Sequence, residues 1–176
     1  MLYNLALFLH ISGVILIFAG LAIEWVCISK ISNATRPDQT REAVLLYAKL
    51  LIAGIGAALT FLAGAYMAAT VWEGTSWVIA GLVGFFLIAL LGGLTTERKM
   101  KRARKMIKSG EGDLAGLFGN TRMLWLSFQV RTAILFGVVY LMTAKPGPVS
   151  CAIILLASVI VGLIPFRKAN TAISKA

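Results

Sequence analysis

The apolar positions of this chain fall into long runs, with the polar positions gathered in a few short stretches between them. Five runs stand out, at about 5–28, 44–72, 77–94, 123–142 and 149–166. About 20 mostly apolar residues in helical form cross a hydrocarbon core about 30 Å thick. The pattern therefore predicts an all-α fold, a polytopic transmembrane helical bundle with five spans in a single membrane domain, residues 1–176. The second run exceeds the required length and must tilt or project from the bilayer. Lys145-Pro146-Gly147-Pro148 separates the last two runs, where two prolines stop one helix and start the next. The first run reads as a retained span and not a signal peptide, because Met-Leu-Tyr-Asn carries no basic n-region and the run is too long.

The cations set the expected orientation. Lys30, Arg36 and Arg41 follow the first span, and Arg98, Lys99, Lys101, Arg102, Arg104, Lys105, Lys108 and Arg122 lie in a basic loop, 97–122. Arg167, Lys168 and Lys175 lie in the tail. All of these fall on one side of a five-span arrangement, and only Lys145 falls on the other. Lys/Arg excess marks the cytoplasmic side, so the expectation is N-terminus out and C-terminus in, in a bacterial cytoplasmic (inner) membrane. Trp25, Trp72, Trp77 and Trp125 each sit near an expected boundary, where indole rings prefer to lie.

Composition narrows the class further. The 176 residues are 59% hydrophobic and 14% charged, with a net charge of +10. That excludes an ordinary soluble enzyme or a disordered chain. The charge does not point to nucleic acid, since the cations flank apolar spans and no aromatic interleaving accompanies them.

The faces of the spans carry the remaining information. His10, Gly13, Ile17, Gly20 and Glu24 share one face of the first helix, at steps of three and four. Lys49, Ala53, Gly56, Thr60 and Gly64 form a matching small-residue face on the second, and glycines of this kind let helices approach closely. The third helix offers Gly81, Gly84 and Gly92. Glu24 and Lys49 lie near the expected cytoplasmic boundary and read as interfacial charges that can pair. Arg131 lies deeper, about 12 Å inside the start of the fourth span. Left unpaired there it would cost at least about 2.5–3.5 kcal/mol. Its side chain tilts back toward the cytoplasmic end, so Glu24 is its expected partner, with an anionic ligand as the alternative. Gln129 is a further polar candidate beside it.

His10 is the only histidine. It reads either as a hydrogen-bonding group between helices or as a ligand to haem or another metal. With one histidine per chain, a second axial ligand must come from methionine, Met67 or Met142, from another non-histidine group, or from another subunit. Cys27 and Cys151 fall at opposite ends of the bundle, too far apart to bond within one chain. The segment from Glu97 to Lys108 places Met100, Ala103 and Ile107 on one helical face. It reads as an amphipathic extension of the third span lying on anionic headgroups. Residues 110–120 read as a glycine-rich hinge.

The opening LFLHISGVILIFAGLA, with Leu9, His10, Gly13 and Gly20, resembles a helix that recurs in bacterial membrane proteins. Together with ALTFLAGAYM, SWVIAGL and VVYLMTAKPG, it makes most of the chain look like a family of uncharacterised predicted integral membrane proteins. That family is distantly similar to the copper resistance protein D family and to HemJ-type protoporphyrinogen oxidases. The resemblance implies a helical membrane fold and places His10 where HemJ-type proteins carry a haem-binding histidine, making haem b the implied cofactor. The lysine of the HemJ-type third helix has no counterpart in Trp77-Val78-Ile79-Ala80-Gly81. The expected function is a non-enzymatic accessory or small carrier protein, in contact with anionic lipid and with a membrane partner subunit or a second copy. The alternative is a haem- or metal-binding redox protein built on His10.

Overall fold

The computed structural model describes residues 1–48, 52–72, 74–110 and 112–164. Lys49, the expected end of the last span at 165–166 and the tail cations Arg167, Lys168 and Lys175 lie outside the described residues. Eight α-helices follow in order: α1 Leu2–Ser32, α2 Pro37–Ala48, α3 Ile52–Thr70, α4 Ser76–Gly92, α5 Arg98–Ser109, α6 Leu114–Phe118, α7 Arg122–Ala144 and α8 Pro148–Leu163. A π-helical turn, Gly93–Glu97, joins α4 to α5. The stretches Leu2–Ser32, Pro37–Thr70, Ser76–Ser109 and Arg122–Ala144 are long and apolar enough to cross a membrane, and α8 is a shorter apolar helix.

Small residues set the helix pairing. α1 packs chiefly on α3, and α7 on α4 and α8. A Cβ on Gly13 would lie 2.7 Å from the Gly56 carbonyl oxygen, and one on Gly56 2.7 Å from that of Gly13. Gly20 likewise faces Ala53, and Gly64 faces the His10 ring. The two faces expected from the sequence thus meet, with backbones in close approach. Gly81 and Gly84 of α4 receive Met142 and Val138 of α7, and Gly162 of α8 lies against Val130.

Two elements, α2 and α6, occupy stretches expected to be loop, while α5 is a helical extension of α4 as the sequence suggests. α2 opens on Pro37 with Asp38 in its first turn, both suited to a helix N-terminus. It buries Thr40, Ala43 and Val44, positions spaced for one face. α5 continues α4 without leaving helical geometry, from Gly92 at φ −62°, ψ −46° to Arg98 at φ −61°, ψ −47°. Gly110, at φ 71°, ends it in the left-handed conformation that glycine adopts at little cost. The supposed hinge contains α6, whose Phe118 is buried. Together these helices form a folded cap at the basic end of the bundle. Its core holds Ile28 and Ile31 of α1, Ala43 and Val44, Met100 and Ala103, Phe118, and Leu124 of α7. Met100 and Ala103, read from the sequence as facing headgroups, are therefore packed against protein. The covalent continuity of α4 and α5 makes a helical stretch of 34 residues, about 50 Å long, so its basic end projects beyond a core about 30 Å thick.

At the other end, Lys145 adopts φ 48°, ψ 52° and terminates α7. Its ammonium lies 4.0 Å from the centre of the Trp72 ring and 5.5 Å from that of Trp77. This cation–π contact ties the α3–α4 turn to the α7–α8 turn.

Candidate functional site

The most concentrated polar chemistry within the helices is a buried ion pair. Arg131, on α7, is 6% exposed and Glu24, on α1, is 5% exposed. The guanidinium meets the carboxylate in a fork, Nη1 donating to Oε2 at 3.1 Å and Nη2 to Oε1 at 2.5 Å. Nη2 also donates to Thr96 Oγ1 at 3.2 Å, and Nε to the Ser127 carbonyl oxygen at 3.2 Å. Taking two charges out of water is recovered only when geometry is good and the remaining donors are satisfied. Here the bidentate contact supplies the geometry, and Thr96 and Ser127 take two more of the five guanidinium donors.

Local structure places each partner. Ser127 precedes Arg131 by one helical turn. Gly92 leaves room for the guanidinium, since a Cβ there would lie 3.2 Å from Nη1. The π turn widens the helix just where α4 would otherwise continue regularly, a device that re-aims side chains at a chosen point. Thr95 in that turn donates to the Leu91 carbonyl oxygen and lies 2.5 Å from the Ser127 hydroxyl. Thr96 is fully buried beside Arg131. Below this layer, Tyr47 of α2 donates to Glu97 at 3.3 Å. Trp125 Nε1 donates to Ser32 at 2.8 Å, and Ser32 donates to Thr121 at 3.1 Å. A polar layer thus links α1, α2, α7 and the π turn.

Comparison of the chain with protein-family models, curated proteins and solved structures finds no match.

The remaining sequence candidates fall in different places. Glu24 is buried under α7 and paired with Arg131, and α1 runs two turns past it to Ser32. Gln129 is half-buried and makes no hydrogen bond among the described residues. His10 Nδ1 lies 2.8 Å from the Thr60 carbonyl oxygen on α3, so the ring joins two helices. Its surroundings do not fit haem. The ring packs over Gly64, at 3.0 Å from where a Cβ would stand, in the close α1–α3 interface. Met67 packs with Ala6 and Ala63, and Met142 is seated on Gly81, so each methionine is committed to packing. Among the described residues no group of three metal-ligating His, Cys, Asp or Glu side chains occurs. Cys27 and Cys151 are both free and buried.

The cations of α5 divide. Arg98, Lys101, Arg102, Lys105 and Lys108 are exposed. Lys99 donates to the Asn120 carbonyl oxygen, and partial burial pulls its pKa below the ordinary lysine value. Lys101 and Arg104 both reach Glu97 at 3.6 Å. Thr95, Thr96, Ser127, Ser32 and Glu97 were not singled out from the sequence. The one available sign was the pair Thr95-Thr96, at the point where an apolar run meets a basic one.

Proposed function

We propose that this chain is a five-span protein of a bacterial inner membrane, N-terminus outside and C-terminus cytoplasmic, acting as a non-enzymatic accessory subunit. The engagement of the Glu24–Arg131 pair within the protein carries the reading. A charged side chain that works on a ligand or reactant must be free to meet it. Both carboxylate oxygens and four donor contacts of the guanidinium are already taken by the protein. An anionic ligand at Arg131 would have to displace Glu24, leaving that carboxylate buried and uncompensated. The pair instead works as a clamp that holds α1, α7 and the π turn at one spacing.

The cap supports the same reading. Met100 and Ala103 of α5 are buried inside the protein, and its exposed cations face outward. In this orientation Arg98, Lys101 and Arg102 lie nearest the membrane and meet anionic headgroups, while Lys105 and Lys108 stand farther into the cytoplasm. Such cations attract an anionic surface by about 1 kcal/mol each when close to it. The test is complementation of a deletion strain by the Glu24→Gln, Arg131→Gln double variant. The two amides remove both buried charges together, so a clamp tolerates them and the strain is rescued. A variant that folds, inserts and yet fails to complement would make Arg131 a ligand-binding or transport group and overturn the accessory reading.

A further inference from the structure

A groove of about 500 Å³ lies along the last turns of α1 and the first turns of α2. Its lining includes Trp25 and Val26, two cations, Lys30 and Arg36, and two carboxylates, Asp38 and Glu42. Trp25 is 50% exposed and Val26 39%. None of the four charged residues has an ion-pair partner among the described residues, although they share one groove. Counted along α1, Trp25 lies about 30 Å from Leu5, which matches the thickness of a hydrocarbon core. An apolar wall therefore stands at membrane depth, with a charged floor beyond it. This placement rests on the membrane reading above.

We propose that this groove binds the headgroup of an aminophospholipid, a phosphodiester carrying a primary ammonium, with its acyl chains running along Trp25 and Val26. The charge pattern selects that class. Lys30 and Arg36 suit the phosphate, Arg by its paired N–H donors. Asp38 and Glu42 suit a cation a few bonds away. With two charges of each sign the groove is neutral, so it favours a zwitterion over a net anion. The carboxylates also separate an ethanolamine headgroup from a choline one, because a primary ammonium donates N–H bonds and a quaternary one has none to give. The site is thus distinct in chemistry from the cationic face of α5, which attracts any anionic lipid.

The test uses the full chain in mild detergent, incubated with equal amounts of phosphatidylethanolamine, phosphatidylcholine and phosphatidylglycerol and read by native mass spectrometry. The ethanolamine lipid is retained over the choline lipid by about fivefold, the factor that one ordinary net hydrogen bond supplies. Asp38→Asn with Glu42→Gln removes that preference and moves retention toward the glycerol lipid, since two cations remain. Lys30→Gln with Arg36→Gln lowers retention of the ethanolamine lipid. All four positions are exposed, so helicity and melting stay near those of the parent chain. Should a double variant melt early, the single Glu42→Gln change reads the same preference. Equal retention of ethanolamine and choline lipids by the parent chain would overturn the proposal, as would a preference that survives loss of both carboxylates. Failure of the membrane reading shows separately, in the sidedness of reporter fusions.

Discussion

Arg131 has the most to lose from a single change. Arg131→Ala leaves the Glu24 carboxylate buried without its counter-charge, and breaking a buried pair in this way costs about 3–5 kcal/mol. The single variant should show a large loss of folded protein in detergent, and Glu24→Gln with Arg131→Gln should recover much of it. Strictly additive losses in thermal melts of the singles and the double would refute the coupling that the 2.5 Å and 3.1 Å contacts imply. His10 stands at the opposite extreme. Its one hydrogen bond, to Thr60, is of a kind worth about 0.6 kcal/mol on average between membrane helices. His10→Gln should therefore leave yield and melting almost unchanged, and the purified protein should have no Soret band. A band lost in His10→Gln would restore the haem reading. Arg131 and Glu24 were legible as partners because depth along a helix is countable and a deep charge demands an opposite one. Thr96 and Ser127 were not, because a hydroxyl in a membrane helix can always bond to its own backbone. The end of α1 was less legible, because hydropathy falls near Ile28 whereas the helix continues to Ser32.

Among the elements, the α1–α3 pair offers the sharpest control. Gly13 and Gly54 are both glycines in apolar helices. A Cβ at Gly13 would press on the Gly56 carbonyl oxygen and the Thr60 amide nitrogen, each at 2.7 Å, whereas Gly54 has nothing within 4 Å. Backbone cannot give way as a flexible side chain can, so Gly13→Ala must force the two helices apart. Overpacking of this sort costs about 1–3 kcal/mol. Gly54→Ala should be neutral or slightly stabilising, since alanine is the better helix former. Comparable melting of the two variants would mean that the helices do not meet as closely as Gly13 requires. The pairing could be read in advance from spacing alone, since steps of three and four place small residues on one face. The cap was harder to read. Polar residues dominate α2 and α5, and hydropathy does not show that Ala43, Val44, Met100 and Ala103 face protein. Their burial depends on α1, α6 and α7 arriving at the same place, which no local window contains.

For the whole molecule, the decisive quantity is sidedness, and the two ends differ enough to predict it. The cap carries the exposed cations of α5 with Lys30, Arg36 and Arg41, while Lys145 is held against Trp72 and Trp77 at the far end. Cations resist transfer across the membrane during insertion, so the cap is expected on the cytoplasmic side. Reporter fusions after Asn33 and Ser109 should both read cytoplasmic, and a fusion after Gly147 should read external. The Gly147 fusion is the informative one, because it tests α7 and α8 together. α7 has 23 residues, about 35 Å, and spans without help. α8 has 16 residues, about 24 Å, so crossing requires local thinning of the bilayer or a contribution from residues after 163. An external signal at Gly147 with a cytoplasmic one after Ala176 therefore gives five spans. External signals at both positions would leave α8 on the outer surface and reduce the bundle to four. A cytoplasmic signal at Gly147 would require α7 not to cross. That outcome would put Arg131 at a surface, where its pairing with Glu24 would no longer be needed to offset burial.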